Sequence, residues 1–93
     1  MRKLNLYTLV IDYDGGTYIC QAEASSKVAA PVACIESWDS SSVLKKETRS
    51  SLIEQVASEE FTAISGASNV WCGCANIGSG LAILNLIQTV KNV

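Results

Sequence analysis

The feature that most constrains this chain is a turn. In TLVIDYDGGTYIC, residues 8–20, two runs rich in β-branched and aromatic residues meet at Asp14-Gly15-Gly16. Glycine takes positive φ without steric cost and aspartate tolerates it, so this junction reads as the turn of a β-hairpin. Upstream, Leu4, Leu6, Thr8 and Val10 fall on one face of residues 4–13, and Tyr7, Leu9, Ile11 and Tyr13 on the other. A strand that is largely apolar on both faces belongs in the middle of its sheet. Downstream, Tyr18, Cys20, Ala22 and Ala24 alternate with Thr17, Ile19, Gln21 and Glu23, which predicts a returning strand buried on one side only.

The same stretch also reads as chemistry. Asp12 and Asp14 are two apart in a strand, and carboxylates so placed can hold Mg²⁺. A metal-dependent enzyme using this pair is therefore one reading. Against it, Gly16 interrupts the D-x-D-G-T pattern of haloacid-dehalogenase-type phosphatases, and no downstream lysine or carboxylate set completes such a site. The turn reading is favoured, with no catalytic residue and no metal assigned. Asp12 is the residue to watch, because a carboxylate buried in that strand would need a partner.

Beyond residue 24, SSKVAAP is a connection ending in the only proline, Pro31, and VACIES (32–37) reads as a short third strand at an edge. Asp39 is placed to cap a helix over about 40–58, with Trp38 and Val43 spaced as a hydrophobic staple. Leu44, Thr48, Leu52 and Val56 then recur every four residues, and Lys45, Lys46, Glu47, Arg49 and Glu54 form the outer face. FTAIS (61–65) and NVWCGCANI (69–77) bracket a second hairpin, with Val70, Cys72 and Cys74 on one face and Trp71, Ala75 and Ile77 on the other. Ser79 would cap a last helix in LAILNLIQTVKNV, with Ile83, Leu84, Ile87 and Val90 on its buried face. The order β-β-(β)-α-β-β-α predicts an α+β fold of one domain, residues 1–93. It is a two-layer sandwich in which two helices cover one face of an antiparallel or mixed sheet.

Composition narrows the function classes. The chain has no histidine, which removes Ser-His-Asp and Cys-His mechanisms. Net charge is −2 with seven Lys plus Arg, in the small groups Arg2-Lys3 and Lys45, Lys46, Arg49, too few for a phosphate-binding face; a nucleic-acid partner is not expected. Cys20, Cys34, Cys72 and Cys74 could in number make a zinc site, but C-x-C inside an apolar strand reads as core thiols. With no signal peptide and no membrane-spanning run, the expectation is a cytoplasmic protein with reduced cysteines and no cofactor.

Hydrophobic residues make up 48% of the chain and charged ones 17%, so a domain this small keeps an apolar outer surface. A homodimer or a protein partner would cover it. The expected function is thus a small non-enzymatic binding module. The alternative is a small-molecule-binding domain with a pocket between sheet and helices. Trp38, Trp71, Tyr7 and Tyr18 are the candidate binding residues.

Residues 7–55 resemble the HicB-like antitoxin family. The residues that carry the likeness are Tyr7-Thr8, Ile11, Asp14-Gly15-Gly16 and Tyr18, then Pro31, Cys34 and a polar helix start at Asp39 to Ser42. Val32 and Ala33 stand within the family's Pro-Gly-Cys segment, and residues 61–93 have no evident counterpart. The resemblance implies a protein that binds and neutralises a small RNA-cleaving toxin.

Overall fold

A computed structural model describes residues 4–78 and 80–90. Strands β1 (Asn5–Tyr13) and β2 (Gly16–Ala24) form the first hairpin, followed by helices α1 (Ala30–Ser37) and α2 (Lys46–Ser58). Strands β3 (Thr62–Ala63), β4 (Val70–Ile77) and β5 (Gly80–Val90) complete the chain. The five strands make one sheet in the order β2-β1-β5-β4-β3, and every neighbouring pair is antiparallel. The fold is α+β, a sheet with two helices, as expected. Among the described residues no helix is long and apolar enough to cross a membrane.

The opening turn forms as its residues require. Asp14 and Gly15 take φ of 49° and 78°, the type I′ geometry whose twist matches that of the flanking strands. Tyr13 and Gly16 pair directly across it. β1 is flanked by β2 and β5, so it is central in the sheet, as expected.

Three expectations are corrected. VACIES is not a third strand but most of α1. Pro31 sits in the helix's first turn, where its missing N–H costs nothing and its fixed φ suits the helix. The long helix begins at Lys46, not near residue 40. The Asp39 carboxylate instead closes a tight turn by accepting from the amide and hydroxyl of Ser41, and the Ser40 carbonyl accepts from Val43 and Leu44. The last segment is not a helix but β5, the strand that joins the two hairpins. Ser79, residues 91–93 and the Arg2-Lys3 pair lie outside the described residues.

Alternation then sorts the sheet into two faces. Tyr7, Leu9 and Ile11 of β1, Cys20 and Ala24 of β2, Ala75 and Ile77 of β4, and Ala82, Leu84 and Leu86 of β5 are all buried. They share one core with Ala30, Cys34 and Ile35 of α1 and Leu52 and Val56 of α2. α1 lies against β2 and β1, and α2 against β4. Arg49 of α2 ties the helices together by donating to the carbonyls of Ile35 and Glu36 in the last turn of α1.

Candidate interaction surface

Among the described residues the opposite face of the sheet carries no helix. The residues out of phase with the core are Leu6, Thr8, Val10 and Asp12 on β1, and Thr17, Ile19, Gln21 and Glu23 on β2. On β5 they are Leu81, Ile83, Asn85, Ile87 and Thr89, and on β4 Val70, Cys72, Cys74 and Asn76. All are half-buried or exposed. Three are large aliphatics left in water: Ile19 is 63% exposed, Leu81 54% and Ile83 39%. The pairs Val10–Ile19, Thr8–Ile87 and Val70–Ile87 bring these side chains together across strands. An apolar stripe therefore crosses β2, β1, β5 and β4.

The polar groups on this face mostly satisfy one another. Thr17 donates its hydroxyl to Asp12 at 2.7 Å, and Gln21 donates to the Thr8 hydroxyl, which also pairs with that of Thr89. Asp12 is thus exposed and partnered, not buried, and Asp14 sits in the exposed turn. Among the described residues no group of three or more histidine, cysteine, aspartate or glutamate side chains is placed to hold a metal ion.

Both sheet edges are guarded. Beyond the two-residue β3, the outer edge of β4 is bonded by side chains of α2 and of the segment after it. Gln55 accepts from the Asn76 amide and donates to the Asn76 carbonyl, and Glu59 accepts from the Cys74 amide at 2.9 Å. Gly73 makes this approach possible, since a Cβ there would meet Glu59 and the Phe61 ring at 3.1 Å. On the other edge, Ser37 of α1 donates to the Gln21 carbonyl. Side chains that occupy edge amides and carbonyls block strand-to-strand association.

The four aromatic candidates lie elsewhere. Tyr7 is buried in the core. Tyr18 stacks on Trp38, with centroids 5.5 Å apart and planes tilted by 32°. Trp71 is directly opposite Leu86, on the helix side of the sheet, and Lys27 stands 5.3 Å above its ring. The fold joins Tyr18 to Trp38 but assembles no single site from the four. Where the sheet meets the helices, Leu9, Ile11, Leu84 and Leu86 pack with Cys34, Ile35, Leu52 and Val56, each almost wholly out of water. Beside Trp38 runs a surface groove of about 440 Å³ lined also by Leu44, Lys45 and Arg49. Ser40, on the same groove, is buried, and its hydroxyl has no partner among the described residues.

The chain matches no family model, no curated protein and no solved structure. Its own geometry carries the assignment of sites.

The cysteines divide by face. Cys20 and Cys34 are buried between β2 and α1, against the carbonyls of Leu9 and Tyr7. The neighbouring thiols perturb each other, so that Cys20, beside Cys34 and buried, is pushed above the ordinary thiol range and Cys34 is drawn below it. Cys72 and Cys74 belong to the open face, so the sheet separates the two pairs. The open-face residues Ile83 and Ile87 were missed as surface residues by the sequence reading. No alternation in LAILNLIQTV marks them, because both faces of the strand are apolar on either side of Asn85.

Proposed function

We propose that this chain is a binding module that works through protein contact and associates with a second copy of itself by the open face of its sheet. The observation that carries the reading is the exposure of Ile19, Leu81 and Ile83 on a sheet face that the two helices do not cover, in a fold whose edges are bonded at Gln21, Cys74 and Asn76 by Ser37, Glu59 and Gln55. Four long strands about 4.8 Å apart, each presenting about eight residues at about 3.3 Å, give the face roughly 500 Å² in projection. That reaches the lower bound of about 500 Å² per partner for a specific interface, before side-chain relief is counted. Among the described residues the charged groups on the face are Asp12 and Glu23. Two sheets packed face to face would bury both apolar stripes as a sandwich core with helices outside.

A cytoplasmic setting, in which the four cysteines stay thiols, belongs to the same proposal. The HicB-like resemblance extends it to a further partner, a small RNA-cleaving protein. Light scattering on a dilution series tests the core of the reading. The native chain is expected to double its mass as concentration rises, and Ile83→Lys to stay monomeric while keeping its circular dichroism. A native chain that stays monomeric at every concentration refutes it.

A further inference from the structure

Resting on that reading, we infer that the two-fold axis of the dimer runs along the middle cross-strand row of the open face, so that Asn85 pairs with Asn85 of the second copy. The register defines the row: Ile19 lies opposite Val10, Val10 opposite Asn85, and Asn85 opposite Cys72. Asn85 is the middle residue of the eleven in β5, and β5 and β1 are the inner two of the four long strands. The centre of an apolar stripe is thus held by a carboxamide.

That carboxamide is left over by the monomer at the centre of the face, as the side chains of Glu23 and Asn76 are at its margins. Thr8, Asp12, Thr17, Gln21 and Thr89 all bond within the face, whereas the half-buried Asn85 side chain makes no hydrogen bond among the described residues. An amide carries a donor and an acceptor on one edge, so two amides related by a two-fold axis close a ring of two N–H···O bonds. A two-fold interface is isologous, and a residue on its axis meets itself. Covered by any purely apolar surface, Asn85 would lose its water without gaining a partner.

The direction of the axis follows from the neighbours. With the axis along the row and across the strands, each strand meets its own copy reversed. Ile83 then faces Ile87, Cys74 faces Val70, and Asp12 faces the hydroxyl of Thr8. An axis along β5 would instead set β1 over β4 and lay the Asp12 carboxylate on Cys74, where it would be desolvated against a thiol. Sheets packed this way keep their strands within about 30° of each other, which leaves the central pair in register. A single buried Asn that fixes partner and register is known from other helical interfaces; here it would do so between sheets.

The test is Asn85→Asp, read by sedimentation at pH 7 and pH 4. Two ionised carboxylates would oppose each other at pH 7, and a dimer dissociation constant raised by about 100-fold or more is expected. At pH 4 a shared protonated carboxyl pair restores the ring, so dimerisation returns. The other titratable groups on the face are Asp12, Glu23, Cys72 and Cys74, and the native chain at both pH values controls for them. A native dimer whose Asn85→Asp variant dimerises equally well at both pH values overturns the axis placement and leaves self-association standing. A monomeric native chain overturns both. Should the aspartate variant not fold, Asn85→Leu mixed with isotope-labelled native chain decides the matter by native mass spectrometry. Homodimers of each with few heterodimers are expected, because a lone Asn85 would face leucine, and statistical mixing refutes the pairing.

Discussion

Ile83 and Leu84 are neighbours in sequence, and the structure places them on opposite faces of β5. Leu84 is fully buried among Ile11, Ile35 and the rest of the core, whereas Ile83 is 39% exposed on the open face. Replacing Leu84 by alanine removes packed methyl groups and leaves a cavity, a change that costs about 3 kcal/mol, within the usual range of about 2–5 for buried leucines. Ile83→Ala at dilutions that keep the chain monomeric removes a side chain already two-fifths in water, and about 1 kcal/mol is expected. Urea unfolding followed by tryptophan fluorescence resolves the two. With an m-value of about 1.5 kcal/mol per M, the midpoint falls by about 2 M for Leu84→Ala and by about 0.7 M for Ile83→Ala. Equal losses would refute the alternation, because residues 83 and 84 share a buried face only if the segment is a helix.

Two further perturbations probe other parts of the fold. Gln55→Ala strips the Asn76 amide and carbonyl of their partner; it is expected to lower stability by about 1 kcal/mol and, by uncovering the edge of β4, to raise light scattering on heating. Ser40→Ala removes a buried hydroxyl that has no partner among the described residues, and is expected to stabilise by about 1 kcal/mol, measured as a higher urea midpoint.

Local chemistry made part of this fold legible in the sequence. Asp14-Gly15 specifies its own turn, and the strands on either side carry their burial in strict alternation. The two faces of β4 were separable, Trp71, Ala75 and Ile77 from Val70, Cys72 and Cys74, but the expectation that Cys72 and Cys74 are core thiols is corrected: their face is the open one, and Cys74 is exposed. Where local signals were ambiguous, tertiary context decided. VACIES is a short apolar run that suits a buried strand or a helix, and periodicity cannot separate the two. Pro31 is compatible with an edge strand and with a helix start. AILNLIQTV is apolar at both helical and strand spacing, and it becomes a strand because β1 and β4 both offer it an open edge. Asp39 has the right side chain for a helix cap, but it spends its carboxylate on Ser41, whose hydrogen bonds hold that carboxyl below its ordinary range.

The error at β5 also hid the site. Low charge on a small chain did point to an apolar surface that something covers. Reading residues 80–92 as a helix put Ile83 and Ile87 inside, so that surface could not be located. The aromatic candidates drew attention instead, and Tyr7, Tyr18, Trp38 and Trp71 all belong to the side of the sheet that the helices cover. The proposed face is built of aliphatics around the Asn85 amide, and only the register of four strands brings them together.

The central claim is that this open face is covered in solution by a second copy, and Cys74 reports on it without any substitution. Its thiol is exposed on the face, opposite Ile83 on the neighbouring strand, while Cys20 and Cys34 are buried on the other side of the sheet. The measurement is the rate of Cys74 alkylation, read by peptide mass spectrometry, from micromolar to millimolar chain. The account predicts a rate that falls with concentration in step with the dimer fraction, while Cys20 and Cys34 stay unmodified until the chain is unfolded. A Cys74 rate that is the same at every concentration would contradict it.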